Sequence, residues 1–316
     1  MRLAVLDTAT LGSDICLTEW EQFGELKIFK TSISNELLPE LFDCEVIVIN
    51  KSKITKDILK KLPKLKLICI TATGFDNVDT VACKDCGVAV CNVKGYSTNS
   101  VAQVTVTLAL SLVNHIFEYC DYVKSGRYGA AGVQNCVSPV FNELNGKVWG
   151  IAGLGNIGKA VARVAKALGC EVIALKRTPD DEFNCADLNT LLEKSDILSL
   201  HLPLSDETYH LIGEAELKKA KPNLVLINVA RGDIVDEAAV VNAIKQKRIG
   251  GFATDVFSPE PLSQNSPLQQ VLSYPNVIAT PHMAWGAYES RMRCISEITE
   301  NIKAFFSGEI RNRVDL

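Results

Sequence analysis

The sequence has no apolar run approaching the roughly 18–20 residues that a membrane span needs. Its start, MRLAVLDTATLG, lacks the basic leader, long apolar stretch and small-residue cleavage site of an export signal. These absences predict a cytoplasmic protein with no membrane partner. Charge of one sign is missing too: 33 Lys and Arg stand against 37 Asp and Glu, a formal net charge of −4. That balance gives no electrostatic case for a nucleic-acid partner. Low-complexity tracts and short-period repeats are absent, and 47% hydrophobic with 22% charged residues argues against wholesale disorder.

Cysteine is plentiful, at eleven residues, but only Cys83 and Cys86 have CxxC spacing. No further Cys or His ligands follow nearby at zinc-site spacing, so no metal is expected. An odd count without an export signal reads as reduced thiols. At 316 residues the chain is long enough for two domains.

What is there is strand–helix alternation. RLAVLD (2–7), LKIFK (26–30), EVIVIN (45–50), LKLICIT (65–71) and VAVCN (88–92) read as strands, with helical patterns between them. Their near-continuous Val, Ile and Leu content suits parallel strands buried on both faces. A long apolar helix is expected from Thr98 to about Lys124, with His115 inside it. The loop-like stretch SGRYGAAGVQNCVSPVFNELNG follows, either an arm gripping a second subunit or a surface connection. Strands resume at KVWGIAG (147–153), EVIALK (171–176), DILSLHL (196–202), NLVLINVA (223–230), GFATDV (251–256) and NVIATPH (276–282). A helical pattern from Tyr288 to Phe306 closes the chain. The fold class is α/β, with doubly wound parallel sheets.

Gly153-Leu154-Gly155-Asn156-Ile157-Gly158 follows one of these strands and opens a helix, which makes it a strong dinucleotide signal. Gly153 suits a tight turn, Gly155 a close approach to pyrophosphate, and Gly158 close helix–strand packing. Where the next strand ends, a carboxylate would bind the ribose hydroxyls of NAD and repel a 2′-phosphate. Lys176, Arg177 and Thr178 stand there, two cations and a hydroxyl suited to a 2′-phosphate. NADP(H) is therefore expected over NAD(H), although Asp180 and Asp181 lie close enough to serve a ribose.

Ligands of open α/β sheets bind beyond the carboxyl ends of the strands. Those ends carry Leu202-Pro203 beside the adenosine half, Arg231 in NVARGDIVDE, Asp255 and Glu260 in ATDVFSPEP, and His282 in ATPHMAW. An Arg there can pair with a carboxylate in bidentate fashion. Among the four histidines, only His282 is flanked by a strand, a Pro and a following Trp, as a cleft residue would be.

Taken in order, ATGFDNVD (72–79), GYSTNSVAQ (95–103), GLGNIG, HLPL (201–204), NVARGDIVDE (228–237), DVFSPEP (255–261) and PHMAW (281–285) resemble the D-isomer-specific 2-hydroxyacid dehydrogenase family. Within it they look most like the glycerate dehydrogenase/hydroxypyruvate reductase branch. The resemblance implies that Arg231 holds the 2-keto carboxylate and polarises the carbonyl. It implies that His282 is the general acid in reduction and that Glu260 hydrogen-bonds it. Asp255 would meet the nicotinamide or its ribose, Val229 and Ala230 would line the cofactor, and Trp285 would face substrate. Backbone of Thr73 and Gly74 would meet the substrate carboxylate. The family fold is discontinuous, which places a substrate lobe at 1–97 plus 286–316, a cofactor lobe at 98–285, and a homodimer on the latter. Hydroxypyruvate or glyoxylate reduction is the expected reaction. The alternatives are a corepressor-type dinucleotide sensor, disfavoured by the short C-terminal extension, and a phosphoglycerate dehydrogenase lacking a regulatory domain.

Overall fold

A computed structural model of the chain describes residues 1–178 and 180–316. They form two compact units, Met1–Ser97 with Gly286–Leu316, and Thr98–Trp285.

The first unit holds strands β1 (Arg2–Val5), β2 (Glu25–Ile28), β3 (Val46–Ile49), β4 (Leu67–Ile70) and β5 (Ala89–Cys91). They pair in the order β2-β1-β3-β4-β5, every pair parallel. The Val/Ile/Leu runs of β3 and β4 are buried along their whole length, as helices on both faces require. Three short helices intervene: α1 (Leu38–Leu41), α2 (Lys56–Leu59) and α3 (Thr80–Asp85). Asp79 caps α3 by accepting the Ala82 N–H.

In the second unit the chain runs through α4 (Thr98–Val113), α5 (Ile116–Lys124), α6 (Arg127–Ala130), β6 (Val148–Ala152), α7 (Asn156–Ala167), β7 (Glu171–Leu175), β8 (Asn184–Cys185) and α8 (Leu188–Lys194). It continues through β9 (Ile197–Leu200), α9 (Glu214–Lys219), β10 (Val225–Asn228), α10 (Glu237–Lys245), β11 (Gly251–Thr254) and β12 (Val277–Ala279). The sheet order is β12-β11-β10-β9-β6-β7-β8, again all parallel. Strand order reverses between β6 and β9, and that reversal opens a crevice at the carboxyl ends. In the first sheet the corresponding point lies between β1 and β3. The last helix, α11 (Tyr288–Ser307), returns to the first unit and packs on β4.

Two expectations are corrected. The helix expected to run from Thr98 to Lys124 is two helices, α4 and α5, bent by 63°. His115 sits at the break in the left-handed region (φ 51°), and its Nδ1 lies 2.7 Å from Glu118 Oε1. The loop-like stretch after it carries the one-turn helix α6. The two-residue edge strand β8 had no sequence signal, because Asn184–Cys185 is short, polar and exposed. Among the described residues no single helix is long and apolar enough to cross a membrane.

Candidate active site

β6 delivers the glycine turn to the crevice of the second sheet. Gly153 has φ 97°, and a Cβ there would lie 2.8 Å from the His201 backbone carbonyl. A Cβ on Gly158 would lie 2.1 Å from the Gly153 oxygen, so helix and turn pack without room for a methyl group. Gly155 differs: its backbone is extended, it caps α7, and a Cβ there would meet nothing within 4 Å. Asn156 and Ile157 open the helix, and first-turn N–H groups have no intrahelical acceptor. Open space before a helix N-terminus, held by two tight glycine contacts, fits a dinucleotide pyrophosphate.

β9 supplies the neighbouring wall. Half-buried Leu202 lies against the Gly153 turn, and exposed Pro203 follows. Beneath it, Trp149 Nε1–H donates to Ser199 Oγ at 3.1 Å, and Ser199 Oγ is 3.0 Å from His201 Nε2. An indole can only donate, so Ser199 Oγ accepts from Trp149 and links it to the ring, whose other nitrogen is Nδ1. That Nδ1 is buried without a partner among the described residues. Burial pushes the His201 pKa down to about 3, keeping the ring neutral.

The cations expected at a 2′-phosphate both have carboxylate partners. Lys176 Nζ donates to Asp180 Oδ2 at 2.7 Å, and Arg177 pairs with Glu207, both exposed. Thr178 is exposed.

The ends of β10, β11 and β12 build the second cluster. Asn228 closes β10 and is 1% exposed; its amide donates to the Arg231 carbonyl at 2.8 Å and its Oδ1 accepts the Ala230 N–H at 3.1 Å. This lacing fixes the 228–231 turn, in which Val229, Ala230 and Arg231 are half-buried. Arg231 Nη1 donates to the Ala230 carbonyl at 2.8 Å. Gly232 then runs so close to the next loop that a Cβ would lie 2.2 Å from the Phe257 carbonyl carbon.

That next loop carries Glu260, between the cis peptides Ser258-Pro259 and Glu260-Pro261. Glu260 Oε1 accepts the Phe257 N–H at 3.2 Å, while Oε2 lies 2.7 Å from His282 Nδ1. Glu237, first residue of α10, tethers the loop by accepting from Ser258 N and Ser266 Oγ at 3.1 and 2.7 Å. His282 itself adopts a left-handed backbone, φ 51°. Asp255, 1% exposed, holds that conformation from below. Its Oδ1 accepts from Thr280 Oγ1 (2.6 Å) and Met283 N (2.9 Å), its Oδ2 from Ala284 N (2.8 Å). Both Asp255 oxygens thus serve the 280–284 loop, although the resemblance placed this residue at the nicotinamide or its ribose.

Of the remaining site candidates, Trp285 is half-buried at the end of the second unit, and Thr73 and Gly74 belong to the first. There, Thr73 Oγ1 donates to the Val93 carbonyl at 2.8 Å, and Asn92 Nδ2 donates to the Thr73 carbonyl at 2.7 Å. Sequence reasoning passed over Asn228, Glu237 and Thr280. Asn228 had a signal, since a polar side chain ending an apolar parallel strand needs a local partner. Glu237 and Thr280 had none, because their partners lie on other loops.

The family model described as "D-isomer specific 2-hydroxyacid dehydrogenase, NAD binding domain" matches residues 106–284. A glycerate dehydrogenase of Methylorubrum extorquens is 36% identical over 99% of both chains. A glyoxylate reductase of Thermococcus litoralis is 35% identical over 92% of this chain and 90% of that one. Among solved structures, D-lactate dehydrogenase from Aquifex aeolicus, complexed with NAD and lactic acid, superposes with a TM-score of 0.88 at 30% identity, covering 100% of this chain and 99% of that one. With the glycine turn, the Arg231 turn and the Glu260–His282 pair in place on this fold, the chain belongs to the D-isomer-specific 2-hydroxyacid dehydrogenase family.

Proposed function

We propose that this NAD(P)-linked 2-hydroxyacid dehydrogenase reduces hydroxypyruvate to D-glycerate, with glyoxylate as a second substrate and NADPH as the preferred reductant. The observation that carries the reading is the 2.7 Å contact between Glu260 Oε2 and His282 Nδ1. A carboxylate on Nδ1 keeps a proton there, so Nε2 is the nitrogen left to give a proton to substrate. The Arg231 guanidinium holds the 2-keto carboxylate and draws charge from the carbonyl. When bound, the reduced nicotinamide supplies the hydride to C2. His282 supplies the proton to the carbonyl oxygen, and Glu260 holds the ring in place for that transfer. Asp255 and Asn228 act through the loops they hold. The names of the glycerate dehydrogenase and glyoxylate reductase relatives support the substrate choice.

The Gly153–Gly158 turn would hold the pyrophosphate, with Leu202, Pro203, Val229 and Ala230 along the cofactor. Lys176, Arg177 and Thr178 at the end of β7 support the 2′-phosphate preference. The second unit is the cofactor-holding one and the first selects substrate. A homodimer through α5 and the 125–146 segment belongs to the same reading, supported by exposed Val133, Val137, Val140 and Phe141. A reducing, cytoplasmic setting is supported by eleven cysteines that are all free thiols.

The test is loss of NADPH or NADH absorbance with hydroxypyruvate, glyoxylate and phosphohydroxypyruvate in parallel. Turnover of hydroxypyruvate or glyoxylate is expected, and none with any of them would overturn the reading. His282→Ala should lower kcat by roughly 10²–10⁴-fold, the usual contribution of a positioned proton donor.

A further inference from the structure

Two lysines from different elements converge on one carboxylate oxygen. Lys159, on the first turn of α7, and Lys176, just after β7, place Nζ 2.8 and 2.7 Å from Asp180 Oδ2. The Asp180 side chain is 4% exposed, while the lysines keep 33% and 29% of theirs in solvent. We propose that Asp180 is a built-in rival of the cofactor's 2′-phosphate: it occupies the two lysines in the free protein and thereby restrains selectivity for NADPH over NADH.

The inference rests on the dinucleotide reading above and refines it. One carboxylate leaves the trio with a net charge of +1, whereas a phosphomonoester carries about −1.5 to −2 and three acceptor oxygens. Two ammonium groups are therefore better matched to the phosphate than to Asp180. The phosphate must displace an existing charge-assisted pair, which NADH, lacking it, need not do. The neighbouring chain is tied to Asp180 through the Glu182 N–H, which donates to Oδ1 at 3.1 Å and would still find an acceptor in an asparagine, and it has further anchors of its own. Arg163 pairs with both Glu182 oxygens at 2.9 Å, Lys166 Nζ donates to the Glu182 carbonyl at 3.1 Å, and Phe183 is 4% exposed. Neutralising Asp180 thus alters the charge at the lysines while leaving these attachments. Electrostatics agree, since the two lysines hold the Asp180 carboxyl far below the usual carboxylate range.

Nicotinamide fluorescence titrations of the full chain with NADPH and NADH, with no substrate present, test this. Asp180→Asn should tighten NADPH about tenfold and move NADH by less than about twofold, since only NADPH carries the phosphate that meets the released lysines. Lys159→Gln should weaken NADPH about fivefold more than NADH, and added salt should erode the NADPH gain in Asp180→Asn. An unchanged NADPH/NADH ratio in Asp180→Asn overturns the inference, as does a ratio that shifts because NADH weakens, which would make Asp180 a ribose ligand. If Asp180→Asn does not fold, equal losses for the two nucleotides in Lys159→Gln overturn it alone. A wild type that binds neither nucleotide removes the dinucleotide reading itself; one that binds both isolates the failure to Asp180.

Discussion

The two sheets share all-parallel wiring, and each has one point where strand order reverses, yet the two crevices are filled in opposite ways. In the first sheet the reversal lies between β1 and β3, and the chain plugs it itself. Asp7, just past β1, is 2% exposed and accepts the N–H groups of Asn50, Lys51 and Ser52, each at 2.9 Å. Ser32 Oγ donates to its other oxygen at 2.5 Å. Asn77 then ties the same turn through the carbonyls of Asn50 and Ser52. In the second sheet the reversal lies between β6 and β9, and the corresponding turn is Gly153–Gly158, with open space above Gly155. One crevice spends its N–H donors on its own carboxylate, and the other leaves a helix N-terminus for an outside anion. Parallel topology makes both crevices; the residue after the first strand decides which is a ligand site.

Giving the second crevice its own carboxylate tests that contrast most severely. Gly155→Asp meets no steric obstacle at Cβ and has an extended backbone. It should weaken NADH and NADPH alike by about 100-fold or more through repulsion of the pyrophosphate, with Tm nearly unchanged. A Kd within threefold of wild type in fluorescence titration would remove the contrast. Next in size, Asp7→Ala removes the carboxylate that accepts from the Asn50, Lys51 and Ser52 N–H groups, those of Asn50 and Ser52 buried. It should cost about 3 kcal/mol or more in denaturant unfolding and create no nucleotide site in the isolated first crevice.

Acid should separate the two units further. Hydrogen bonds from Ser32 and the 50–52 backbone hold the Asp7 carboxyl below its ordinary 3.8, against the opposing effect of burial. Its stabilisation is complete above the unfolded value and is lost as pH falls through the folded one. His201 acts earlier. Its pKa is about 3 folded against 6.5 unfolded, so between those values the unfolded chain binds the extra proton and stability drops with falling pH. The slope approaches about 1.4 kcal/mol per pH unit, and His201→Asn should flatten it between pH 6 and 4 in urea unfolding curves. The smallest effect expected is that of Thr280→Val, which deletes one donor to Asp255. A loss of about 1 kcal/mol in stability and a few-fold drop in kcat with KM little changed would mark Asp255 as the support of the His282 loop. Equal losses of kcat in Asp7→Ala and Thr280→Val would erase the difference between the two buried aspartates.

Much of this is legible in the amino-acid sequence. Buried parallel strands are short apolar runs, so their places read directly, and Gly153, Gly155 and Gly158 announce a turn that side chains would obstruct. Arg231, Glu260 and His282 stood at strand ends in motifs of fixed order. The break at His115 was not legible, because apolar residues continue through it and a left-handed residue in a helical pattern carries no compositional mark. β8 was not legible either, being exposed and two residues long.

The sequence by itself therefore determined the α/β class and the dinucleotide turn, since period, burial and glycine need are local properties, and the resemblance of its motifs pointed to the side chains proposed to react. Only the tertiary structure decided what those side chains do to one another. Glu260 meets His282 across 22 residues of chain, and Asp255 reaches three donors on the loop after β12. Lys176, whose charge alone pointed to a 2′-phosphate, is drawn to Asp180 together with Lys159 from another element. Such pairings depend on which strand ends lie side by side, and sheet order is a property of the fold and not of any window of sequence.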